Sequence, residues 1–167
     1  MIDFSTIAGL REAGFAGFAS VQALCKARCT SIPEQQGVYL TVAQSGLVPK
    51  FLAKSPAGHT KGKDPTVPVS ELKESWVPGA IVLYIGKAGG QKSKVTLKAR
   101  IKQYLEFGRG IPVGHWGGRY VWQIEEAQRL MICWKPTPEK DPREVERVLI
   151  DAFKQVYGKL PFANLQG

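Results

Sequence analysis

The run Ile81-Val82-Leu83-Tyr84-Ile85-Gly86-Lys87, followed at once by Ala88-Gly89-Gly90, constrains this chain more than any other stretch. It is a short continuous apolar segment rich in β-branched residues, which predicts a buried strand, and the glycines turn the chain immediately after it. A tyrosine near the end of such a strand, close to a lysine, is either a core aromatic bonded to backbone or part of a site. Two other runs share this composition. Gly37-Val38-Tyr39-Leu40-Thr41-Val42 starts straight after a turn, and Leu130-Met131-Ile132-Cys133-Trp134 is stopped by Pro136 and Pro138. Three buried strands are therefore expected.

Helical patterns surround them. Residues 6 to 28 are expected to be helical in two pieces broken around Gly14 and Gly17, within an N-terminal helical section over 1–35. Thr96 to Phe107 places Leu97, Ile101, Tyr104 and Leu105 on one stripe, with Arg100 at its edge and one helical turn from Tyr104. The last helix has full start and stop signals: Asp141 as N-cap, Pro142 at N1, Glu144 completing a capping box, and Gly158 as terminator. Its expected core face is Val145, Val148, Leu149, Ala152, Phe153 and Val156. Glu146 falls inside the apolar arc, between Ile150 and Phe153, whereas Arg143, Arg147, Asp151 and Lys154 fall outside it. A carboxylate turned toward an apolar face is costly unless an arginine pairs with it or a cation binds it. The stretch Gly118 to Glu126 is ambiguous, since Tyr120, Trp122 and Ile124 alternate while Val121 and Ile124 also suit a helix.

Between the first two strands, residues 43–79 change character, with five prolines and a scatter of lysines but no clear periodicity. This basic insertion reads as a surface arm or a disordered loop, with a short helix starting at Val69-Ser70-Glu71-Leu72. The chain as a whole has 23 Lys+Arg against 14 Asp+Glu, a net charge of +9 over 167 residues. Such an excess points to a polyanionic partner, a nucleic acid or an acidic surface. No run is long and apolar enough to span a membrane, and Met1-Ile2-Asp3 does not open a secretory signal. Three cysteines suit a reducing compartment, so the expected location is cytoplasmic. Cys25 and Cys29 lack further ligands nearby, and zinc is not expected. The Gly89–Lys94 turn lacks the order of a nucleotide phosphate loop, which excludes an NTPase.

Five elements in order, Gly37-Val38-Tyr39, Tyr84-Ile85-Gly86 with Lys87, Arg100 with Tyr104, Glu146 with Leu149-Ile150, and Pro161-Phe162-Ala163-Asn164, resemble the GIY-YIG nuclease superfamily, in its standalone restriction-enzyme-like branch. The resemblance covers roughly residues 36 to 165. It implies an α/β (α+β) fold in which a small three-stranded antiparallel sheet is flanked by helices, with 1–167 as a single nuclease domain. It also implies that Gly118 to Glu126 is helical. Tyr39 and Tyr84 would stand on adjacent strands with both hydroxyls in the active site, Arg100 would face the phosphate, and Glu146 would be the sole protein ligand of one divalent metal. Asn164 would brace the site, and Lys87 and Tyr104 match auxiliary polar positions. The chain departs from the family pattern in its Val38, in the long insertion between the triplets, and in extra residues before Arg100 and Asn164. His115, in Gly114-His115-Trp116-Gly117-Gly118, is outside the general motif and is expected to line the site or contact a phosphate.

The chemistry such residues would support is metal-dependent hydrolysis of a phosphodiester. Mg²⁺, or Mn²⁺ in its place, would bind Glu146, because one carboxylate suffices for an ion that keeps several waters and takes substrate oxygens. Arg100 supplies a fork of donors to non-bridging oxygens. The general base falls to the Tyr39/Tyr84 pair, with Tyr39 preferred. Products would carry 5′-phosphate and 3′-hydroxyl ends. Lys50, Lys54, Lys61, Lys63, Lys92, Lys94 and Arg119 are the expected contacts to nucleic acid, with double-stranded DNA the expected substrate. A homodimer is expected on duplex DNA, since one site nicks one strand at a time. The alternative is a module that binds nucleic acid without cutting it, as a subunit of a repair or restriction complex.

Overall fold

The computed structural model describes residues 1–166. Its elements are α1 (Ile7–Glu12), β1 (Ala16–Ser20), α2 (Val21–Lys26), β2 (Gly37–Val42), α3 (Val69–Ser75), β3 (Val82–Ala88), α4 (Leu97–Gly108), 3₁₀ turns at Arg119–Gln123 and Ala127–Arg129, β4 (Met131–Pro136) and α5 (Pro142–Tyr157). The class is α+β. The sheet is antiparallel and four-stranded, in the order β1-β4-β2-β3, so the expectation of three strands is corrected by one.

The extra strand is β1, inside the segment expected to be helical. Only the flanking pieces, α1 and α2, are helices, capped by the side chains of Thr6 and Ser20. The glycines there do not merely interrupt a helix. Gly17 sits over the Trp134 indole, where a Cβ would lie 2.6 Å from the ring. The strand bulges between Gly17 and Ala19, with Phe18 at φ 53°. An edge strand of Ala-Gly-Phe-Ala-Ser carries no alternation of apolar residues to betray it.

The sheet is covered on both faces, which explains why β2 and β3 read as unbroken apolar runs. On one face Tyr39, Tyr84, Ile132 and Trp134 pack with Leu97, Ile101, Tyr104 and Leu105 of α4. On the other, Val38, Leu40, Val42, Ile85 and Cys133 pack with Leu149, Ile150 and Phe153 of α5 and with Phe4 and Leu10. Asp141 caps α5 by accepting the Arg143 N–H at 2.9 Å, and Gly158 ends it in the left-handed conformation. The α5 core face is narrower than its sequence suggests, for Val148 and Val156 are exposed.

The insertion is not a free arm. Leu72, Ala57 and Val67 belong to the core, and buried Gln123 ties the segment down. The Gln123 amide donates to Leu52 O and Val67 O, both at 2.8 Å, and accepts from Val67 N at 2.9 Å. Tyr120 donates to Glu71 of α3, and the Gly58 N–H reaches Phe107 O. Gln123→Ala strands three backbone groups in a water-poor region, and we expect a loss on the order of 3 kcal/mol in denaturant unfolding. An unchanged midpoint would mean that the lobe holds without this amide.

Among the described residues no helix is long and apolar enough to cross a membrane, and Cys25, Cys29 and Cys133 are free thiols.

Candidate active site

The register of β2 against β3 sets the site. Tyr39 opposes Gly86 and Thr41 opposes Tyr84, so the two tyrosines are diagonal neighbours on one face, with ring centroids 6.1 Å apart. A side chain at position 86 would point into the Tyr39 ring, a Cβ there lying 2.5 Å from its Cζ and 2.7 Å from its hydroxyl. Gly86 therefore makes room for Tyr39.

β3 is the last strand of the sheet, and its outer side is closed by the segment after α5. Ala163 N donates to Leu83 O at 2.8 Å. The Asn164 amide then spans both backbone groups of Ile85, accepting from N and donating to O, each at 2.9 Å. This fixes the backbone of β3 directly after Tyr84.

Beside this edge, α4 and α5 converge from opposite faces. Tyr84, Lys87, Arg100 and Glu146 line one cavity of about 210 Å³, together with Gly89, Ser93 and Val95. Tyr84 and Glu146 also line an adjoining cavity of about 840 Å³, walled by Trp116, Gly117, Gly118, Arg143, Arg147 and Asn164. Arg143 and Arg147 were not expected here. They flank Glu146 on the same helix, and the i, i+4 spacing of Arg143 with Arg147 was the sequence signal that could have found them.

Glu146 is half-buried, and burial pushes its carboxyl up even though Lys87, Arg143 and Arg100 each pull it down. Among the described residues no cation comes within 4.0 Å of it to form an ion pair. The arginine-paired alternative for this carboxylate is thus not what the fold provides. No group of three or more His, Cys, Asp and Glu side chains gathers among the described residues. Glu146 is the one carboxylate on the smaller cavity, with Glu144 on the wall of the larger, and such an all-oxygen donor set fits an ion that retains its waters, such as Mg²⁺, and not a thiolate- or imidazole-loving one.

The two tyrosines differ in access. Tyr39 is 0% exposed, whereas Tyr84 is 8% exposed and lines both cavities. Burial pushes Tyr84 up to about 12, with the Glu146 charge adding to it and Arg100 opposing. Tyr39 is pushed well above the ordinary phenol range, chiefly by burial. The Tyr104 hydroxyl is committed to Gly118 O at 3.1 Å, which anchors the glycine loop and leaves Tyr104 without a free polar group at the cavity. Arg100 donates to Gln103 Oε1 at 2.6 Å and keeps the rest of its fork available.

His115 does not lie at the surface, so it makes no phosphate contact. It is 0% exposed and sits behind the tyrosines. Lys50, Lys54, Lys61 and Lys63 are exposed on the insertion lobe and line neither cavity. Lys92 and Lys94 are exposed on either side of Ser93, at the rim of the smaller one. Arg119 lies over the Trp116 and Tyr120 rings, 4.7 and 5.3 Å from their centroids, outside both cavity walls.

No protein-family model, no curated protein and no solved structure matches the chain.

Proposed function

We propose that this chain is a metal-dependent endonuclease that hydrolyses phosphodiester bonds, with DNA as substrate and 5′-phosphate and 3′-hydroxyl ends as products, and that its GIY-YIG resemblance reflects the same chemistry. The observation that carries this reading is the convergence of Tyr84, Lys87, Arg100 and an unpaired Glu146 on one cavity at the edge of the sheet.

The residues divide the work as follows. Arg100 and Lys87 meet the non-bridging oxygens of the scissile phosphate and offset the charge that grows as the water attacks. Tyr84, the tyrosine at the cavity wall, accepts a hydrogen bond from the attacking water, whose proton passes to solvent in the open cavity as the oxygen bonds to phosphorus. Glu146 would hold Mg²⁺, which when bound polarises the phosphate, stabilises the leaving oxygen and reverses the effect of the Glu146 charge on Tyr84. Arg143 and Arg147 grip the phosphates that flank the cut, and Asn164 keeps Tyr84 in place through β3. The net charge of +9 supports a polyanionic substrate.

The test is incubation of plasmid, single-stranded DNA and RNA with the protein in Mg²⁺ or EDTA, followed by labelling of the new ends. Cleavage in Mg²⁺ alone, with 5′-phosphate ends, is the expected result. Binding without cleavage of any substrate would leave a non-cutting module in its place. Arg143→Gln with Arg147→Gln should lower the slope of log affinity against log salt by about 2, one unit per lost phosphate contact. An unchanged slope would remove the two arginines from the binding surface.

A further inference from the structure

His115 is the one imidazole inside the core, and its two ring nitrogens have different partners. Nδ1 lies 2.9 Å from Gly117 O, and Nε2 lies 3.0 Å from the Tyr39 hydroxyl. A carbonyl oxygen can only accept, so Nδ1 carries a hydrogen. Burial, reinforced by the charge of Arg100, pushes the imidazole down to about 3, so the ring is neutral at working pH. A neutral ring has one hydrogen, and with Nδ1 protonated Nε2 is an acceptor. The Tyr39 hydroxyl is therefore the donor in that contact.

The ring has no freedom to do otherwise. It stacks on Tyr104 with centroids 4.5 Å apart and an interplanar angle of 29°, and it faces Phe107 and Tyr84 at 6.4 and 6.5 Å. The loop that carries it is held by Tyr104 through Gly118 O. Gly118 has φ 76°, and a Cβ on it would come within 3.0 Å of the Tyr104 hydroxyl and 3.1 Å of the Tyr84 ring. The carbonyl of Gly117, the ring of His115 and the hydroxyl of Tyr39 thus form a fixed chain leading toward Tyr84.

We infer that His115 is a positioning residue for the tyrosine pair: it takes the Tyr39 hydroxyl hydrogen, so that Tyr39 presents only acceptor lone pairs toward Tyr84. The inference rests on the nuclease reading for its consequence, but not for its geometry. A phenol has one hydrogen. The Tyr39 and Tyr84 rings meet edge to face with their hydroxyls interacting, so with the hydrogen of Tyr39 committed to His115 the Tyr84 hydroxyl is drawn inward toward the Tyr39 oxygen, and the lone pair of Tyr84 is left facing the cavity. That lone pair receives a hydrogen bond from the attacking water and aims the water's own lone pair at phosphorus. Without His115, Tyr39 is free to donate to Tyr84, and the Tyr84 hydrogen turns outward, where it would bind the water by the electron pair needed for attack.

Three measurements on the full chain decide this. Long-range ¹H–¹⁵N spectra of the metal-free protein should show His115 protonated on Nδ1 and bare on Nε2. A hydrogen on Nε2, or an imidazolium at pH 6, would overturn the inference. His115→Phe keeps a flat ring against Tyr104 but has no acceptor, and kcat should fall roughly 10- to 100-fold at unchanged KM. His115→Gln can place its amide oxygen near the Nε2 position, and it should restore activity to within about threefold of wild type. A Phe variant as active as wild type, or a folded Gln variant as impaired as the Phe one, would also overturn it. Should the wild-type protein cleave nothing, the nuclease reading fails, while the tautomer measurement still decides the hydrogen-bond assignment.

Discussion

Glu146→Gln is expected to abolish cleavage while making the protein more resistant to heat. Loss of the one carboxylate that shares the smaller cavity with Tyr84, Lys87 and Arg100 should lower kcat on the order of 10³-fold, about 4 kcal/mol of transition-state stabilisation. The gain in stability follows from burial. Folding raises the Glu146 pKa, so ionised Glu146 opposes the folded state. Below the carboxylate range both folded and unfolded chains are protonated and nothing is lost. As pH rises through the folded pKa the destabilisation develops in full, and it persists at neutral pH. The variant should therefore melt above wild type at pH 7.5, and the difference should vanish near pH 4. Thermal melts at the two pH values, run beside the cleavage assay, check both halves. A variant that melts lower at pH 7.5 would show that Glu146 serves the fold and not a cation.

Tyr84→Phe should cost kcat roughly 10²- to 10³-fold with the melting temperature nearly unchanged. Apart from Tyr39, no protein group forms a hydrogen bond with the Tyr84 hydroxyl among the described residues, and the ring keeps its packing against Tyr39 and Tyr104. Tyr39→Phe makes the informative contrast. It removes the donor to His115 and leaves the buried Nε2 without a partner, which should cost about 1–3 kcal/mol of stability. Single-turnover cleavage and denaturant unfolding on both variants separate the tyrosine that meets the water from the one that supports it. Equal activity loss with equal destabilisation would place the two in one structural role.

What the sequence disclosed follows from where the information is local. The Asp141 cap and Gly158 terminator of α5, the apolar runs of β2, β3 and β4, and the stripe of α4 are read from neighbouring residues, and each is present in the fold, whereas the Glu144 side chain, the other half of the expected capping box, makes no bond back to the Asp141 N–H among the described residues. β1 was illegible because its place is defined by Trp134, far along the chain, and not by its own composition. The lobe over 43–79 looked irregular because its order comes from one buried amide, Gln123, outside the segment. At the site, the residue types and their helical or strand positions were sufficient to gather Tyr84, Lys87, Arg100 and Glu146. Depth was not readable. Nothing in the order of residues says that Tyr39 lies behind Tyr84, or that a histidine in a glycine loop is turned into the core.

The fit of Gly86 against Tyr39 bears on how such a site can drift over generations. The glycine of the second triplet exists for the tyrosine of the first, so the two triplets are one contact written in two places. Neither can change alone: a methyl at 86 is intolerable while Tyr39 stays, and a smaller residue at 39 leaves a void that 86 must fill. A lineage that abandoned catalysis would be released from both constraints together. Joint retention of Tyr39 and Gly86 among descendants of this chain would then mark the site as still under selection, where either residue by itself would not.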